Sequence, residues 1–244
     1  MKNPSYVALS RLTVINQALQ VVANNVANMN TTAFRADRML FAEHLARPQA
    51  PVGATRDRIS FVEHRATVLD LTPGAITSTG NPLDLAIEGE GWLVVETDAG
   101  ERYTRDGRLK LDDTGQLVTS NGNPILGQGG QPIVFAQDDG HIEIAADGTI
   151  STENGQIGQL QLVAFDSPYA LEKAAGGLFS SRTPPIAAEE ATIRQGAQED
   201  ANVQPISQIT ELVSLQRAFV STSRMIDQEN DRQLRAIRSL VRQA

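Results

Sequence analysis

The sequence has no cysteine, three lysines and few aromatic residues. Without cysteine there is no disulfide framework, thiolate zinc site or thiol nucleophile, although this absence leaves the cellular compartment open. No stretch approaches the roughly 18 to 20 apolar residues that cross a bilayer, and residues 1–6 lack the apolar region of a Sec signal peptide. We therefore expect neither a membrane span nor a cleaved Sec signal.

The net charge of −8 is distributed unevenly along the 244 residues. Residues 1–66 carry a net charge of +4, residues 67–200 carry −14, and residues 201–244 carry +2. Most of the basic residues are arginine, whose planar guanidinium suits fixed pairing at interfaces. Neither end has a dense basic run with interleaved aromatics, and the acidic middle would repel phosphate, so we expect no nucleic-acid binding.

The N-terminal segment is predicted to be a long helix over residues 4–30. Asn3 and Pro4 form an N-cap followed by proline at the first helical position. The apolar residues then recur at alternating steps of four and three, which gives a heptad seam of Ala8, Leu12, Ile15, Leu19, Val22, Val26 and Met29. Such a helix, on the order of 40 Å long, needs a partner. It either lies on its own domain or enters a coiled coil.

The C-terminal segment repeats this pattern after Pro205. Its apolar set is Ile209, Leu212, Leu215, Phe219 and Ile226, and Leu234, Ile237 and Val241 resume after an offset of one residue. The offset predicts a break in the heptad register near Asn230. The two terminal helices can pair with each other or offer their seams to neighbouring subunits.

The middle of the chain has the two-residue period of β-strands. We predict strands at residues 83–87, 92–96, 108–111, 141–144 and 159–163, separated by Asp-Gly, Asn-Gly and Gly-Gly turns. Residues 46–66 are expected to form a linker or extended arm, and residues 182–200 a connection back to the last helix. The predicted fold is α+β: coiled-coil-type helices in residues 1–45 and 201–244 flank a hairpin-rich, antiparallel all-β domain in residues 67–200.

We find no pattern that indicates catalysis, a cofactor or a metal. His44, His64 and His141 lack the spacing of metal ligands, and the acidic residues at turns are explained by local hydrogen bonds. The sequence has no serine elbow, phosphate loop or dinucleotide fingerprint. Trp92 and Tyr103 could form a carbohydrate-stacking platform, but a role for Trp92 in the core is the better interpretation. We do not expect an enzyme.

Four ordered segments resemble signatures of the flagellar basal-body rod and hook protein family. Residues 21–35 (VVANNVANMNTTAFR) resemble its "aNNlANvnTtGFk" signature, and residues 79–92 (TGNPLDLAIEGEGW) resemble "TgnpLDlAIeGdGfF". Residues 103–107 (YTRDG) resemble "yTRdG", and residues 195–203 extend the similarity, although residues 199–203 (EDANV) replace the family's "lEgSNV". Ala33 stands where the family usually has glycine, which argues against a positive-φ turn after the first helix.

The resemblance implies a structural subunit of the bacterial flagellar rod, most similar to the proximal rod proteins of the family. Its terminal helices would pack in a tubular core with the β domain outside, and copies of itself and other rod subunits would be its partners. It also implies export by the flagellar type III apparatus, which would explain the missing Sec signal. A head-to-tail contact that does not close generates such a helical array.

We expect the assembly interface to consist of the two apolar seams and the asparagines near the end of the first helix. The residues are Leu12, Ile15, Leu19, Val22, Asn24, Asn25, Val26, Asn28, Leu212, Leu215, Phe219 and Ile226. A distal rod or hook paralogue is the alternative within the family. Outside it, a secreted carbohydrate-binding protein or a soluble coiled-coil adaptor would account for parts of the pattern.

Overall fold

The computed structural model describes residues 4–46, 59–167 and 170–241. Two long helices frame the chain: α1, Pro4–Ala27, and α2, Pro205–Val241. Between them run seventeen described strands. These are β1 Asp37–Ala46, β2 Ile59–Leu69, β3 Ile76–Ser78, β4 Leu85–Glu88, β5 Trp92–Thr97, β6 Gly100–Thr104, β7 Leu109–Leu111, β8 Leu117–Thr119, β9 Glu143–Ile144, β10 Thr149–Thr152, β11 Gly155–Gln159, β12 Leu162–Ala164, β13 Leu171–Lys173, β14 Phe179–Ser181, β15 Ile186–Ala187, β16 Thr192–Gln195 and β17 Ala197–Glu199.

The chain divides into two compact units, and it passes between them four times. The helical unit comprises residues 1–27, 37–68 and 204–244, and the β unit comprises residues 28–36 and 69–203. The predicted α+β class, with helical ends and a β-rich middle, is confirmed. The predicted N-terminal helical segment, however, also contains β1, which pairs with β2. Most of the predicted arm, residues 47–58, lies outside the described residues, and its last residues belong to β2.

In the helical unit, α1 packs against α2. Proline at the first position of each helix fixes both starts, because its missing N–H would be unpaired there in any case. α1 ends at Ala27 rather than at residue 30, since a turn follows in which Thr31 N donates to Asn28 O (3.0 Å). α2 runs through Asn230 without interruption, so the predicted register break does not divide the helix.

The β unit is built on a six-stranded antiparallel sheet in the order β13-β14-β6-β5-β12-β15. Strand β5 lies inside this sheet, and its side chains alternate between two cores. Leu93 and Val95 enter the larger core, whereas Trp92 and Val94 enter the smaller one. Both faces of β5 are therefore covered. Packing explains why the motif of residues 79–92 ends in the apolar side chain of Trp92, the first residue of β5.

Smaller antiparallel ladders complete the β unit: β11-β10-β9, β16-β4, β17-β3 and β7-β8. The expected return connection, residues 182–200, is therefore corrected, because it contains β15, β16 and β17. β16 and β17 pair with strands more than a hundred positions away and β15 pairs with β12, and such short segments give little periodicity for sequence analysis to detect. The predicted strands at residues 83–87, 92–96 and 108–111 match β4, β5 and β7 closely.

Candidate functional site

The predicted seam residues of α1 face the interior of the helical unit. Ile15 and Val22 are buried, and Leu12, Leu19 and Val26 are half-buried. On α2, Leu212, Leu215, Phe219 and Ile226 are all half-buried. The structure therefore brings the two heptad seams together within one chain, where their apolar side chains leave water.

Asn25 is the most buried polar residue of α1, with 2% exposure. Its Nδ2 donates to the carbonyl oxygen of Asp37 (3.0 Å) and to Oε1 of Gln208 on α2 (3.2 Å). The backbone N–H of Asp37 donates to Asn25 Oδ1 (3.0 Å). One amide thus satisfies both main-chain groups of Asp37 and holds α1 to α2. Satisfying a buried amide in this way is a condition for its presence in a core.

The other asparagines of the predicted interface take different positions. Asn24 is exposed on α1, while Asn28 lies beyond the end of the helix, where its Oδ1 accepts a hydrogen bond from Thr31 Oγ1 (3.3 Å). The predicted helix over residues 4–30 is therefore corrected at its end, because Asn28 lies outside α1. The physical reason is the weak helix propensity of asparagine and threonine, which make up most of residues 28–32 and favour turns.

A second apolar row follows the side of α2 that does not hold the seam. Ile206, Ile209, Val213 and Val220 are 84%, 46%, 40% and 46% exposed. At 100° per residue this row lies roughly 120° around the helix from the seam. Ile209 was expected in the seam, but Gln208 occupies the inward position. We call these four residues the outer row of α2. Arg217 and Arg224 lie beside it and, with Val213 and Val220, line a surface groove.

In the β unit, three motifs that are far apart in the sequence meet at one buried ion cluster. Arg35, Arg105 and Glu199 are 0%, 4% and 1% exposed. Arg35 Nη2 lies 2.6 Å from Glu199 Oε1, and Arg105 Nε donates to Glu199 Oε2 (3.0 Å). Gly74 N also donates to Oε1 (2.8 Å). We call Arg35, Arg105 and Glu199 the buried triad.

Arg105 is the better satisfied of the two arginines. Its Nη2 donates to the carbonyl oxygens of Ile87 (2.8 Å) and Gly89 (3.0 Å), and its guanidinium lies 5.7 Å from the centre of the Trp92 ring. Burial lowers the pKa of Arg105, Glu199 opposes that shift, and Arg35 adds to it by repulsion. For Arg35, neither Nε nor Nη1 has a hydrogen-bond acceptor among the described residues.

Residues 28–36, which we call the strap, bring Arg35 into the β unit. Ala33 N donates to Glu199 O (2.7 Å), and Asn202 N donates to Phe34 O (3.2 Å). Ala36 N in turn donates to Asn202 Oδ1 (2.7 Å). These bonds fix Ala33 at φ +57°, so the expectation that alanine prevents a positive-φ turn is wrong. The pairing of the strap outweighs the steric cost of the left-handed conformation.

Two further contacts hold the strap. Lys173 Nζ donates to Arg35 O (2.8 Å) and lies 4.4 Å from the centre of the Phe34 ring. Asp70 N donates to Ala36 O (2.8 Å). Sequence reasoning missed the buried triad as a site. Its only signal was that each of three motifs made largely of turn, polar and apolar residues contains one of these three ionisable side chains.

The residues considered for ligand chemistry lie elsewhere. Trp92 and Tyr103 are 5% and 6% exposed, so the interpretation of Trp92 as a core residue is confirmed and the pair offers no open stacking platform. His141 is exposed, whereas the side chains of His44 and His64 lie outside the described residues. Among the described residues, no group of three or more His, Asp or Glu side chains is arranged to hold a metal. Within the same residues, no helix is long and apolar enough to cross a membrane.

Three sequence families match successive parts of the chain. Residues 6–35 match the family described as flagella basal body rod protein. Residues 86–152 match the flagellar hook protein FlgE/F/G D1 domain, and residues 194–239 match the flagellar basal body rod FlgEFG protein C-terminal domain. The matched regions include most of α1 and of the strap, together with Arg35, Arg105 and Glu199.

Individual relatives align over almost the whole chain. The flagellar basal-body rod protein FlgF of Caulobacter vibrioides is 36% identical over 229 residues, covering 93% of both chains. FlgF of Mesorhizobium japonicum is 33% identical over 98% of both chains. The rod protein FlgG of Bacillus subtilis is 30% identical, covering 91% of this chain and 92% of its own.

Proposed function

The chain belongs to the flagellar basal-body rod protein family and is a structural subunit of the flagellar rod, and we propose that it polymerises there through its helical unit. The observation that carries this proposal is the outer row of α2. Within one chain α1 covers the seam of α2, but the outer row stays in water. An exposed apolar row of this kind marks a surface that another protein covers.

The outer row has the spacing that helix packing requires. Ile206, Ile209, Val213 and Val220 follow at steps of three, four and seven. At roughly 1.5 to 3 kcal/mol for each fully buried large apolar side chain, four such residues per subunit form a substantial contact when repeated along a polymer. The predicted interface residues would then build the helix pair that presents this row, with Leu12, Ile15 and Phe219 among them.

We place this subunit in the proximal rod, with other rod subunits and copies of itself as partners. Three relatives that align over at least 93% of this chain are named FlgF. The proximal rod proteins to which the sequence motifs are most similar are of the FlgF type, so these names support the proximal position over a distal or hook one. Location in the basal body follows from the family. We further propose that the rod crosses the periplasm and that the flagellar type III apparatus exports this subunit without a cleaved Sec signal. We also propose that the subunit has no catalytic role.

The test replaces outer-row residues without touching the seam. Val213→Glu with Val220→Glu puts two carboxylates on the outer row, while the contacts between α1 and α2 remain. In a strain that lacks this protein, we expect the variant to restore neither swimming nor a complete rod in isolated basal bodies. Burial of an unpaired charge at a contact costs several kcal/mol, which suffices to block polymerisation.

The matched control is Ile186→Glu, which places a carboxylate on an exposed apolar residue of the β unit. We expect this control to restore rods and swimming. Circular dichroism of the purified variants checks that the helices are retained. Normal rods built from the Val213→Glu, Val220→Glu variant would contradict polymerisation through the outer row.

A closed dimer, as in a soluble coiled-coil adaptor, is the alternative mode of association that the same outer row could support. An adaptor forms a dimer of fixed size at low concentration, whereas a rod subunit stays monomeric until partners or high concentration drive open-ended association. Sedimentation velocity over a range of concentrations separates the two. A carbohydrate-binding role has no support from Trp92, which is buried.

A further inference from the structure

The charges of the buried triad do not balance. Arg35 and Arg105 are both cationic, whereas Glu199 is the single carboxylate of the triad, and all three are almost fully buried. The exposed carboxylate of Glu90 also attracts Arg105, but more weakly than Glu199 does. A buried charge in excess of its partners carries a desolvation cost that the remaining attraction does not fully offset.

The excess charge arrives with the strap. Without Arg35, Arg105 would still pair with Glu199 and donate to the carbonyl oxygens of Ile87 and Gly89. The β unit would then retain a neutral, hydrogen-bonded ion pair. With Arg35 docked, a second guanidinium enters the same site, and its Nε and Nη1 find no acceptor among the residues that the structure describes.

The backbone of the strap adds a second cost. Ala33 has a φ of +57°, in the left-handed region where a Cβ atom is crowded. Against both costs stand the main-chain bonds of Ala33, Phe34 and Ala36. The contacts of Lys173 with Arg35 O and the Phe34 ring, and the ion pair of Arg35 with Glu199, act in the same direction. The docked strap is thus held by a balance of opposing contributions, as native structure is in general.

We propose that the strap is a poised latch. It exchanges between the docked form seen here and a released form, in which Arg35 is in water and the Arg105–Glu199 pair keeps the β unit folded. The latch is a property of the single chain. Its use in the rod rests on the proposed function: a neighbouring subunit that binds one form more tightly would shift the equilibrium by the difference between its two affinities.

The first measurement is amide hydrogen exchange in the full-length chain, at a concentration where it is monomeric. The N–H groups of Ala33 and Ala36 report the docked strap, and that of Leu117, which donates to Ile133 O (2.9 Å), reports the β core. We expect the strap amides to exchange roughly 100-fold faster than the core amide, by local opening. Equal protection of strap and core would overturn the latch.

The second measurement uses Arg35→Met, which keeps the length of the side chain and removes its charge. A merely structural ion pair would lose protection in this variant. The latch predicts the opposite: the strap amides exchange roughly tenfold more slowly, because a hydrophobic replacement relieves the excess charge while Glu199 keeps Arg105. Unchanged or faster exchange would reject the proposal. Arg182→Met is the control, since Arg182 is exposed and pairs with Glu172 at the surface.

Two further variants keep the test decisive if Arg35→Met folds poorly. Ala33→Gly removes the crowded Cβ atom and is expected to slow the exchange of Ala36 by about threefold. Glu199→Gln leaves two guanidinium groups without their carboxylate and should release the strap. If both variants leave strap exchange unchanged, the latch is excluded. Because the chain is monomeric in these experiments, the result does not depend on whether it builds rods.

Discussion

Asn25 and Asp37 exchange two hydrogen bonds, each 3.0 Å long, across the eleven residues between them. The buried Asn25 side chain bonds to the N–H and C=O of Asp37, the first residue of β1, as a neighbouring strand would. This pair fixes where the chain leaves α1 and where it returns as β1. Asn25, the second asparagine of the Asn-Asn pair in the rod-family signature, therefore has a structural role.

Replacing Asn25 by alanine should destabilise the helical unit by about 2 to 3 kcal/mol. The substitution leaves the N–H and C=O of Asp37 without their side-chain partner and removes the bond to Gln208, and buried polar groups that lose partners are costly. Urea unfolding followed by far-UV circular dichroism measures the effect. Asn16→Ala, an exposed position of α1, is the control and should change stability by less than about 0.5 kcal/mol. Equal effects of the two variants would contradict the assigned role.

Arg105 and Arg35 should differ sharply although both pair with Glu199. Arg105→Met removes the donors to Ile87 O and Gly89 O, so we expect a loss of about 2 to 4 kcal/mol from the β unit. The fluorescence of Trp92, the single tryptophan of the chain, reports unfolding of this unit in urea.

The control for Arg105 is Arg108→Met. Arg108 is bonded to Asp106 (2.8 Å), but its side chain is 43% exposed. Solvent screens such a pair, so its removal should cost less than about 1 kcal/mol. A loss as large as that of Arg105→Met would show that ionic pairing by itself, and not the buried carbonyl contacts, determines the contribution of these arginines.

The helices could be predicted from sequence because they depend on local signals. Proline sets the start of α1 and α2, and a repeat of three and four residues identifies the face that packs. The strands β4, β5 and β7 could likewise be predicted, since each is apolar and bounded by turn residues. Strands β15 to β17 could not, because their stability comes from pairing with β12, β4 and β3, which no local pattern records.

The buried triad illustrates a different limit of sequence reasoning. Arg35, Arg105 and Glu199 each belong to a recognisable motif, yet nothing in those motifs says that the three side chains converge. Their convergence depends on the register of β17 on β3 and on the path of the strap, both of which are long-range. The outer row of α2 was missed because of an ambiguity in the local pattern. A heptad pattern does not show which of two apolar rows faces the partner helix, so Ile209 was assigned to the seam.

The glycine of the Tyr-Thr-Arg-Asp-Gly motif has a steric role that predicts a large effect. A Cβ atom on Gly107 would lie 1.8 Å from the carbonyl oxygen of Leu85, and Leu85 N donates to Gly107 O (2.9 Å). Gly107→Ala must separate these two segments, so we expect a loss of about 3 kcal/mol in urea unfolding. Gly158→Ala, where the added Cβ meets nothing within 4 Å, should stay within about 0.5 kcal/mol. A small effect of Gly107→Ala would show that β4 can move at little cost.

Acid should weaken the β unit partly through its turn carboxylates, of which Asp112 is the clearest. Asp112 Oδ1 accepts hydrogen bonds from Thr114 Oγ1 (2.7 Å) and from the N–H groups of Thr114 and Gln116 (2.8 Å each). These bonds, led by the Thr114 hydroxyl, lower the pKa of Asp112. A carboxyl group whose folded pKa is depressed stabilises the fold above its unfolded pKa of about 3.9, and this contribution disappears as the pH falls through the lower folded pKa.

We therefore expect wild type to exceed Asp112→Asn in stability at neutral pH, and the difference to shrink as the pH falls below about 4. Urea midpoints from Trp92 fluorescence at a series of pH values measure this difference. Asp113→Asn, at the exposed neighbouring position of the same turn, controls for the change in net charge. A difference between wild type and Asp112→Asn that stays constant down to pH values well below about 4 would mean that the hydrogen bonds of the turn do not depend on the charge of Asp112.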